Sequence, residues 1–261
     1  MFAESEAYER FMGRWSRQLA PLLVRFADVG ERHTVLDIGS GTGALAIAVA
    51  EAVPSAQTTG VDPSPEYVKY AQAHTTNGRA RFIVGDAQDL HLPDAAFDRT
   101  LSLLVMNFIP DPAKALREMT RVTRPGGIVA AAVWDYSAGM EMLRAFWDEA
   151  VALDPRVAGR DERNMPLCKE GELAALWRAQ GLGDVTGTPL TARLSFVSFD
   201  DYWSPFLGGQ GPAGAYTRSL SATDRAALEA RLRRRLLGTG ADRPFTLQGR
   251  AWAVKGKVGR V

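Results

Sequence analysis

The clearest pattern along the chain is a short apolar run, a turn and a longer apolar segment, which occurs first at residues 35–50. Residues 35–38 are apolar apart from Asp37, and residues 44–50 are apolar throughout. A short apolar run bounded by turn residues predicts a buried strand, and the longer run after the turn predicts a buried helix. The first unit is therefore a strand followed by a helix.

Strand and helix signals of the same kind continue through the first half of the chain. Ser64 followed by Pro65 is typical of a helix start, with serine as the N-cap and proline at the first helical position. Four further strands are predicted. The first ends at Asp62, the second covers residues 80–84, the third begins after Phe97–Asp98 and runs through Met106, and the fourth covers residues 128–134. Strands that alternate with helices favour a parallel α/β sheet.

The second half of the chain has weaker patterns. Asp154–Pro155 predicts the end of the first helix there, because proline cannot continue a helix. The predicted elements are a helix at about 140–153, a loop at 155–169, a helix at 170–180 ended by Gly181, a strand within 185–199 and a strand at 245–258.

A basic helix is predicted at residues 221–237. Leu228, Leu232 and Leu236 recur four residues apart on one side of it, and arginines that include Arg231, Arg233, Arg234 and Arg235 lie elsewhere. The pattern is typical of a helix with one face on a core and one face in water, and an RNA or lipid surface is the other interpretation.

Composition indicates an ordinary α/β protein. The 261 residues are 46% hydrophobic and 23% charged, with a formal net charge of +1, so no general attraction to nucleic acid is expected. The single cysteine, Cys168, excludes an internal disulfide and a cysteine metal cluster, and we expect no metal. No apolar stretch approaches the ~20 residues of a membrane span and the amino terminus carries acids, so a cytoplasmic location is expected.

The turn at residues 39–43 contains three glycines and is the first candidate site. Glycines permit positive φ and leave room for a ligand, and the unpaired amides of the following helix attract an anionic or acceptor-rich group. Gly39, Gly41 and Ala44, with Asp62 about twenty residues further on, also satisfy a relaxed dinucleotide fingerprint. An NAD(P)-dependent oxidoreductase is therefore one alternative, and a turn without a ligand is another.

Asp37 changes this interpretation because it lies two residues before the first glycine. A carboxylate there would repel the pyrophosphate of a dinucleotide, whereas it suits a ligand with an ammonium group. S-adenosylmethionine has an ammonium and a carboxylate at its amino acid end and no phosphate. Asp37 can accept a hydrogen bond from the ammonium, while amides of the turn, which contains Gly39, Ser40 and Gly41, and of the helix that follows it receive the carboxylate.

Two further acids follow predicted strands. At Asp62 a carboxylate can accept both ribose hydroxyls and Pro63 can pack on the sugar or base, although a turn acid that only caps the next helix has the same pattern. Asp86 can accept from the adenine amine, with the Ala87 amide donating to the ring. Three acids at the carboxyl ends of successive strands point to one crevice.

These motifs, in this order, resemble the class I S-adenosylmethionine-dependent methyltransferases, in the small-molecule branch that includes the quinone-biosynthesis enzymes. The resemblance covers about residues 8–136. The segments that carry it are Val35–Gly43, Gly60–Ser64, Gly85–Ala87, Phe97–Asp98, Asp111–Pro112, Arg121–Gly127 and Ile128–Trp134.

The resemblance implies a Rossmann-like, doubly wound seven-stranded sheet that is mostly parallel with one antiparallel strand, plus a helical cap. It also implies that the glycine turn and Asp37 hold the methionine moiety, Asp62 the ribose and Asp86 the adenine, with Leu103 beside them. The segment Tyr8–Trp15 is similar to the leading helices of the family, where Tyr8 would close the pocket and Arg14 would pair with the methionine carboxylate. A helix ended at Gly13, with Arg14 in solvent, is the alternative.

The predicted organisation is one globular unit. Residues 1–30 form cap helices, residues 31–136 form the cofactor-binding core, and residues 137–261 complete the sheet, with an insertion at about 200–244 that covers the substrate. The sequence leaves the oligomeric state open.

The expected reaction is methyl transfer from S-adenosylmethionine, giving S-adenosylhomocysteine, to a small apolar or aromatic acceptor. No catalytic residue is assigned: His91 is the one histidine predicted near the cofactor edge, and a solvated loop histidine is the alternative.

An Asn-Pro-Pro-aromatic motif, typical of enzymes acting on nucleic acid and protein, is missing after the fourth strand. A non-catalytic binding protein on the same fold remains a further alternative. The aromatic and apolar candidates for the acceptor pocket are Phe11, Trp15, Met106, Phe108, Trp134, Tyr136, Trp147, Trp203 and Phe206.

Overall fold

A single seven-stranded sheet organises the chain. A computed structural model describes residue 6, residues 9–75 and residues 78–259. The strands are β1 (Thr34–Ile38), β2 (Gln57–Asp62), β3 (Ala80–Val84), β4 (Phe97–Leu103), β5 (Thr123–Trp134), β6 (Gly183–Phe196) and β7 (Phe245–Lys257).

Nine α-helices are described. They are α1 (Arg14–Phe26), α2 (Ala44–Ala52), α3 (Pro65–His74), α4 (Pro112–Val122), α5 (Glu141–Leu153), α6 (Glu172–Ala179), α7 (Phe199–Trp203), α8 (Gly211–Ser219) and α9 (Ala222–Leu237). A π-helical segment, Glu9–Gly13, precedes α1. Within the described residues, no helix is both long and apolar enough to cross a membrane.

The strand order is β3-β2-β1-β4-β5-β7-β6. Strands β1 to β5 pair in parallel, and β7 runs antiparallel to both β5 and β6. The prediction of a mostly parallel seven-stranded sheet with one antiparallel strand is therefore confirmed. Because the chain order reverses between β1 and β4, a crevice forms at the carboxyl ends of these two strands.

Helices α3 and α4 begin where their capping residues predict. Ser64 accepts a hydrogen bond from the amide of Tyr67, and Asp111 accepts one from the amide of Lys114. A proline follows each cap, and its fixed φ and missing N–H suit the first helical position. These caps fix where the chain turns away from the crevice.

The fourth strand ends earlier than its apolar pattern predicted. It stops at Leu103, and Met106–Phe108 form a 3₁₀ helix. Leu104 adopts a φ of +65°, which is rare for a residue with a side chain, while its amide still donates to the carbonyl of Ala132. The chain therefore leaves the sheet at Leu104 and crosses the crevice.

The connection between α5 and α6, predicted as a loop, contains two 3₁₀ helices at Pro155–Arg160 and Glu162–Asn164. Asp154 and Asp161 cap them by accepting the amides of Arg156 and Arg163. Asp161 is also ion-paired with Arg144 of α5, and both side chains are nearly buried. This pair holds the connection on the body of the protein.

The insertion between β6 and β7 is helical and packs on α5. The ring of Phe206 stacks on Phe146 of α5 with a centroid separation of 4.6 Å. In the basic helix α9, Arg231 pairs with Glu149 and Arg235 with Asp148, two acids of α5. These pairs favour the solvated-face interpretation of the basic helix over a nucleic acid surface.

We expect Leu36→Ala in β1 to lower the free energy of unfolding by about 2–5 kcal/mol, because its side chain is fully buried and truncation leaves a cavity. Urea denaturation measures the change. Val197→Ala is the control, since Val197 is 74% exposed and its truncation should cost less than about 0.5 kcal/mol. Equal losses in the two variants would contradict this assignment of the core.

Candidate active site

A cavity of about 200 Å³ lies at the carboxyl ends of β1 and β4, where the sheet order reverses. Six of the predicted cofactor residues line it: Asp37, Gly39, Ser40, Gly41, Asp62 and Leu103. The other lining residues are Ser16, Thr42, Ala44, Leu45, Tyr67, Leu104, Val105 and Phe108. Neighbouring strands and the first turn of α2 thus form one cleft, which we call the cofactor cavity.

The glycine turn has the conformation that its sequence predicts. Gly39, Gly41 and Gly43 all have positive φ, and a Cβ atom on Gly39 would lie 2.4 Å from the side chain of Val105. A residue with a side chain at Gly39 would therefore be strained in its backbone and would collide with the opposite wall.

The amides of Gly39, Ser40 and Gly41, predicted to donate to a ligand carboxylate, donate to groups of the protein. Those of Gly39 and Ser40 donate to the carbonyl of Val61, and that of Gly41 donates to Asp62. They are therefore engaged before any ligand arrives. The amides of Ala44 and Leu45, in the first turn of α2, remain as donors beside the cavity.

Asp37 is the least satisfied polar group of the cavity. Its side chain is buried, and neither carboxylate oxygen has a hydrogen-bond partner among the described residues. Burial, with a smaller contribution from the charge of Asp62, raises its pKa to about 8. A buried carboxylate without a partner is costly unless a donor or cation reaches it.

This carboxylate fits the ammonium group of S-adenosylmethionine. A cation at Asp37 would supply the missing hydrogen bonds and offset the cost of burying the charge. The pyrophosphate of a dinucleotide would instead add negative charge beside it. The residues present therefore fit an amino acid moiety.

Asp62 lines the cavity and also forms hydrogen bonds that hold the glycine turn. Its Oδ2 accepts the amide of Gly41 at 2.9 Å, and its Oδ1 accepts the amide of Ser64 at 2.9 Å. Burial raises its pKa and these two hydrogen bonds oppose the rise. Each oxygen keeps a further lone pair, so a turn role and a ligand role are compatible.

Four of the predicted cofactor residues that the structure describes do not line the cavity, and a fifth, Tyr8, is not described. Asp86 follows β3 as expected, but it is exposed and accepts from the amide and side chain of Gln88. Pro63 and Ala87 also lie outside the lining, and Tyr8 lies outside the described residues. The guanidinium of Arg14 has a different partner from the predicted one: it donates to Asp201 of the insertion at 2.8 Å.

A second cavity of about 140 Å³ adjoins the first, because Leu104 and Phe108 line both. We call it the acceptor cavity. Its other lining residues are Phe11, Met12, Trp134, Tyr136, Leu143, Glu162, Gln210, Gly211 and Pro212.

Four of the nine aromatic and apolar candidates line this acceptor cavity: Phe11, Phe108, Trp134 and Tyr136. The other five, Trp15, Met106, Trp147, Trp203 and Phe206, are buried elsewhere in the core.

Sequence reasoning missed several lining residues. Leu104 and Val105 were hidden inside the overlong fourth strand, and Glu162 lies in a charged stretch that resembles a surface loop. His91 is exposed and lines neither cavity. Over residues 9–75 and 78–259, no group of three His, Cys, Asp or Glu side chains is placed to hold a metal.

The chain is similar in sequence to known methyltransferases. A methyltransferase domain model matches residues 36–131. A demethylmenaquinone methyltransferase from Roseiflexus castenholzii is 31% identical over 163 residues, which cover 58% of this chain and 68% of that protein. The chain belongs to this methyltransferase family.

Other similar proteins agree with this assignment. A malonyl-[acyl-carrier protein] O-methyltransferase from Geobacter sulfurreducens is 32% identical over 68% of this chain and 65% of that one. A Haemonchus contortus phosphoethanolamine N-methyltransferase 2, solved with S-adenosyl-L-methionine, has a TM-score of 0.60 at 18% identity, covering 100% of this chain and 58% of that one. This last likeness shows the shared Rossmann-like methyltransferase fold.

The shared length differs among the relatives of this methyltransferase. The chain covers 34% and 37% of two 2-methyl-6-phytyl-1,4-hydroquinone methyltransferases, from spinach and Synechocystis. The match to the methyltransferase domain model, residues 36–131, contains the glycine turn and ends before the insertion.

We expect Asp37→Asn to change how stability depends on pH. The pKa of Asp37 is about 8 in the folded protein and 3.8 ordinarily, so the folded state binds more protons than the unfolded state between these values. This group therefore lowers the free energy of unfolding as pH rises toward 8. Urea denaturation at a series of pH values between about 5 and 8 should show a fall in the wild type that the asparagine variant lacks. Parallel pH profiles would contradict the burial of an unpaired carboxylate.

Proposed function

We propose that the chain transfers a methyl group from S-adenosylmethionine to a small apolar or aromatic acceptor. The observation that supports this most directly is the buried, unpartnered carboxylate of Asp37 in the cofactor cavity. Family membership supplies the reaction class, and the adjoining aromatic cavity supplies a place for an acceptor.

The cofactor residues divide the ligand among them. Asp37 accepts from the ammonium group, and the amides of Ala44 and Leu45 at the start of α2 receive the carboxylate. Asp62 accepts from ribose hydroxyls on the lone pairs that the turn leaves free. Asp86, Pro63 and Ala87 lie further along the same sheet edge, where the adenine would extend.

The acceptor residues position and desolvate the nucleophile. When bound, the cofactor would supply an electrophilic methyl group on its sulfonium sulfur, and the acceptor atom would attack the methyl carbon opposite the sulfur, which leaves as the neutral thioether. Leu104 and Phe108 stand between the two cavities, so the acceptor atom approaches the methyl group across them. Holding two reactants in this way can contribute about 7–11 kcal/mol to lowering the barrier, provided that the geometry is close to the reactive one.

The acceptor class follows from the walls of the second cavity. Aromatic side chains dominate it, and they suit a flat or apolar molecule. Curated relatives include enzymes named for demethylmenaquinone and for a phytyl hydroquinone, which are ring compounds with apolar tails. The near-neutral chain and the paired arginines of α9 support a cytoplasmic enzyme without a nucleic acid partner.

The proposed organisation assigns residues 31–136 to the cofactor and residues 200–244 to covering the acceptor. Gln210, Gly211 and Pro212 of the insertion line the acceptor cavity, which supports this division. Phe11 and Met12 of the amino-terminal segment line it from another side.

Calorimetric titration tests the cofactor assignment. We expect S-adenosylhomocysteine to bind at micromolar concentration and NAD not to bind. Asp37→Ala should weaken the binding of S-adenosylhomocysteine at least tenfold, because charge-assisted hydrogen bonds to the ammonium are lost. Glu51→Ala, which removes an exposed acid of α2, is the matched control and should bind as the wild type does.

The alternatives give different outcomes in the same titration. Binding of NAD alone would replace the proposal with the oxidoreductase alternative, which the glycine spacing permits. Binding of S-adenosylhomocysteine without turnover of any acceptor would favour a non-catalytic binding protein.

We also expect S-adenosylhomocysteine binding near pH 7 to release a proton. Asp37, with a pKa of about 8 in the free protein, must ionise when the ammonium reaches it. Calorimetry in two buffers with different ionisation enthalpies measures the proton count. No release from the wild type, or the same release from Asp37→Asn, would contradict this role.

A further inference from the structure

Glu162 lies in the wall of the acceptor cavity. It begins the 3₁₀ helix Glu162–Asn164, and only 6% of its surface is exposed. It is the one charged side chain among the described residues that line this cavity. The other walls are mainly aromatic and aliphatic, so the carboxylate is unusual there.

One oxygen of this carboxylate is held and the other is available. Oε2 accepts from the indole Nε1 of Trp147 at 2.6 Å. Oε1 has no hydrogen-bond partner within the described part of the chain. The nearby arginines do not neutralise it, because Arg144 and Arg163 are both ion-paired with Asp161.

The surroundings of Glu162 raise its pKa to about 7, mainly through burial. The hydrogen bond from Trp147 and the charge of Arg144 act in the opposite direction, and Asp161 adds to the rise. Cys168 is a further titratable neighbour, and burial raises the pKa of its thiol to about 12, so it stays neutral. Tyr136 is a titratable residue in the lining of the same cavity. Glu162 therefore changes charge near neutral pH.

A second polar group of the same cavity also has no partner. Trp134 lines the cavity, and its indole Nε1 is buried without a hydrogen bond among the described residues. A buried donor left unpaired is costly unless a polar ligand reaches it. A hydroxyl group can donate to Glu162 and can also accept a hydrogen bond.

We propose that Glu162 is the general base of the reaction and that the acceptor carries a hydroxyl on an aromatic ring. This inference rests on the proposed methyl transfer. As the acceptor nucleophile bonds to the methyl carbon, the bond from that carbon to the sulfonium sulfur breaks, and its electron pair leaves the sulfur neutral. The hydroxyl proton passes to Oε1 of Glu162 and later to water.

A purely structural role for Glu162 is the competing interpretation. Its hydrogen bond to Trp147 fastens the connection between α5 and α6 to α5, and that contact needs only one oxygen. Glu162→Gln keeps an oxygen that can accept from Trp147 but cannot take a proton. A structural role would therefore survive this substitution, and a base would not.

The first test uses 4-methylphenol and 4-methylanisole as probes of the S-adenosylhomocysteine complex, followed by NMR titration. The two molecules have the same ring, and only the phenol has a proton to donate. We expect the wild type to prefer the phenol, increasingly as pH rises through about 7 and Glu162 ionises. Glu162→Gln should weaken the binding of 4-methylphenol about tenfold and leave the binding of 4-methylanisole unchanged. Glu170→Gln, which removes an exposed acid near the same connection, is the control and should behave as the wild type does.

The second test measures methyl transfer to 4-methylphenol from S-adenosylmethionine. We expect the wild-type rate to rise with pH through about 7, and Glu162→Gln to lower it about 100-fold, within the range for loss of a general base. Wild-type turnover no faster than that of the variant would overturn the base role. A wild type without preference for the phenol would overturn the assignment of the acceptor.

Failure of this inference can be told from failure of the proposed function. A wild type that does not bind S-adenosylhomocysteine contradicts the methyltransferase proposal itself. A wild type that binds it but treats phenol and anisole alike contradicts only the role of Glu162. If Glu162→Gln does not fold, which a lost thermal transition would show, the pH dependence of the wild-type preference decides.

Discussion

The burial of one unpaired carboxylate at the reversal point of the sheet is the constraint on which the rest of this site depends. Asp37 belongs to β1, so it stays buried as long as the central strands keep their register. The glycine turn that follows must be tight, because Val105 faces Gly39 from the other side of the crevice. Burial raises the pKa of this carboxyl to about 8, and a bound cation favours its ionised form. The apo protein is thereby prepared for a ligand with an ammonium group at that point.

The two cavities are formed by different elements of the fold, although Leu104 and Phe108 line both. In the cofactor cavity, polar recognition comes from a sheet edge and a helix start, both rigid elements of the core. The acceptor cavity is built from the π-helical segment, the carboxyl end of β5, the connection after α5 and the insertion, with aromatic contacts such as Phe11 against Phe206 behind its walls.

Much of the fold and the cofactor half of the site could be predicted from the sequence because their signals are local. The apolar run of β1, the three glycines and the Ser64–Pro65 helix start each act within a few residues. The predicted end of β4 was wrong because Leu104 has an apolar side chain that suits a strand, yet its backbone leaves the strand. Glu162 was missed because its burial depends on Trp147 and on the Arg144–Asp161 pair, and neither contact has a sequence signal. The partner of Arg14, 187 residues away, was equally hidden.

The ion pair between Arg14 and Asp201 joins the two segments that enclose the acceptor cavity. Phe11 and Met12 are synthesised about two hundred residues before Gln210, Gly211 and Pro212. Every residue that lines the cofactor cavity is present once β5 has left the ribosome, because none lies beyond Phe108 in the chain. A nascent chain therefore carries the whole lining of the cofactor cavity while the second cavity still lacks one wall.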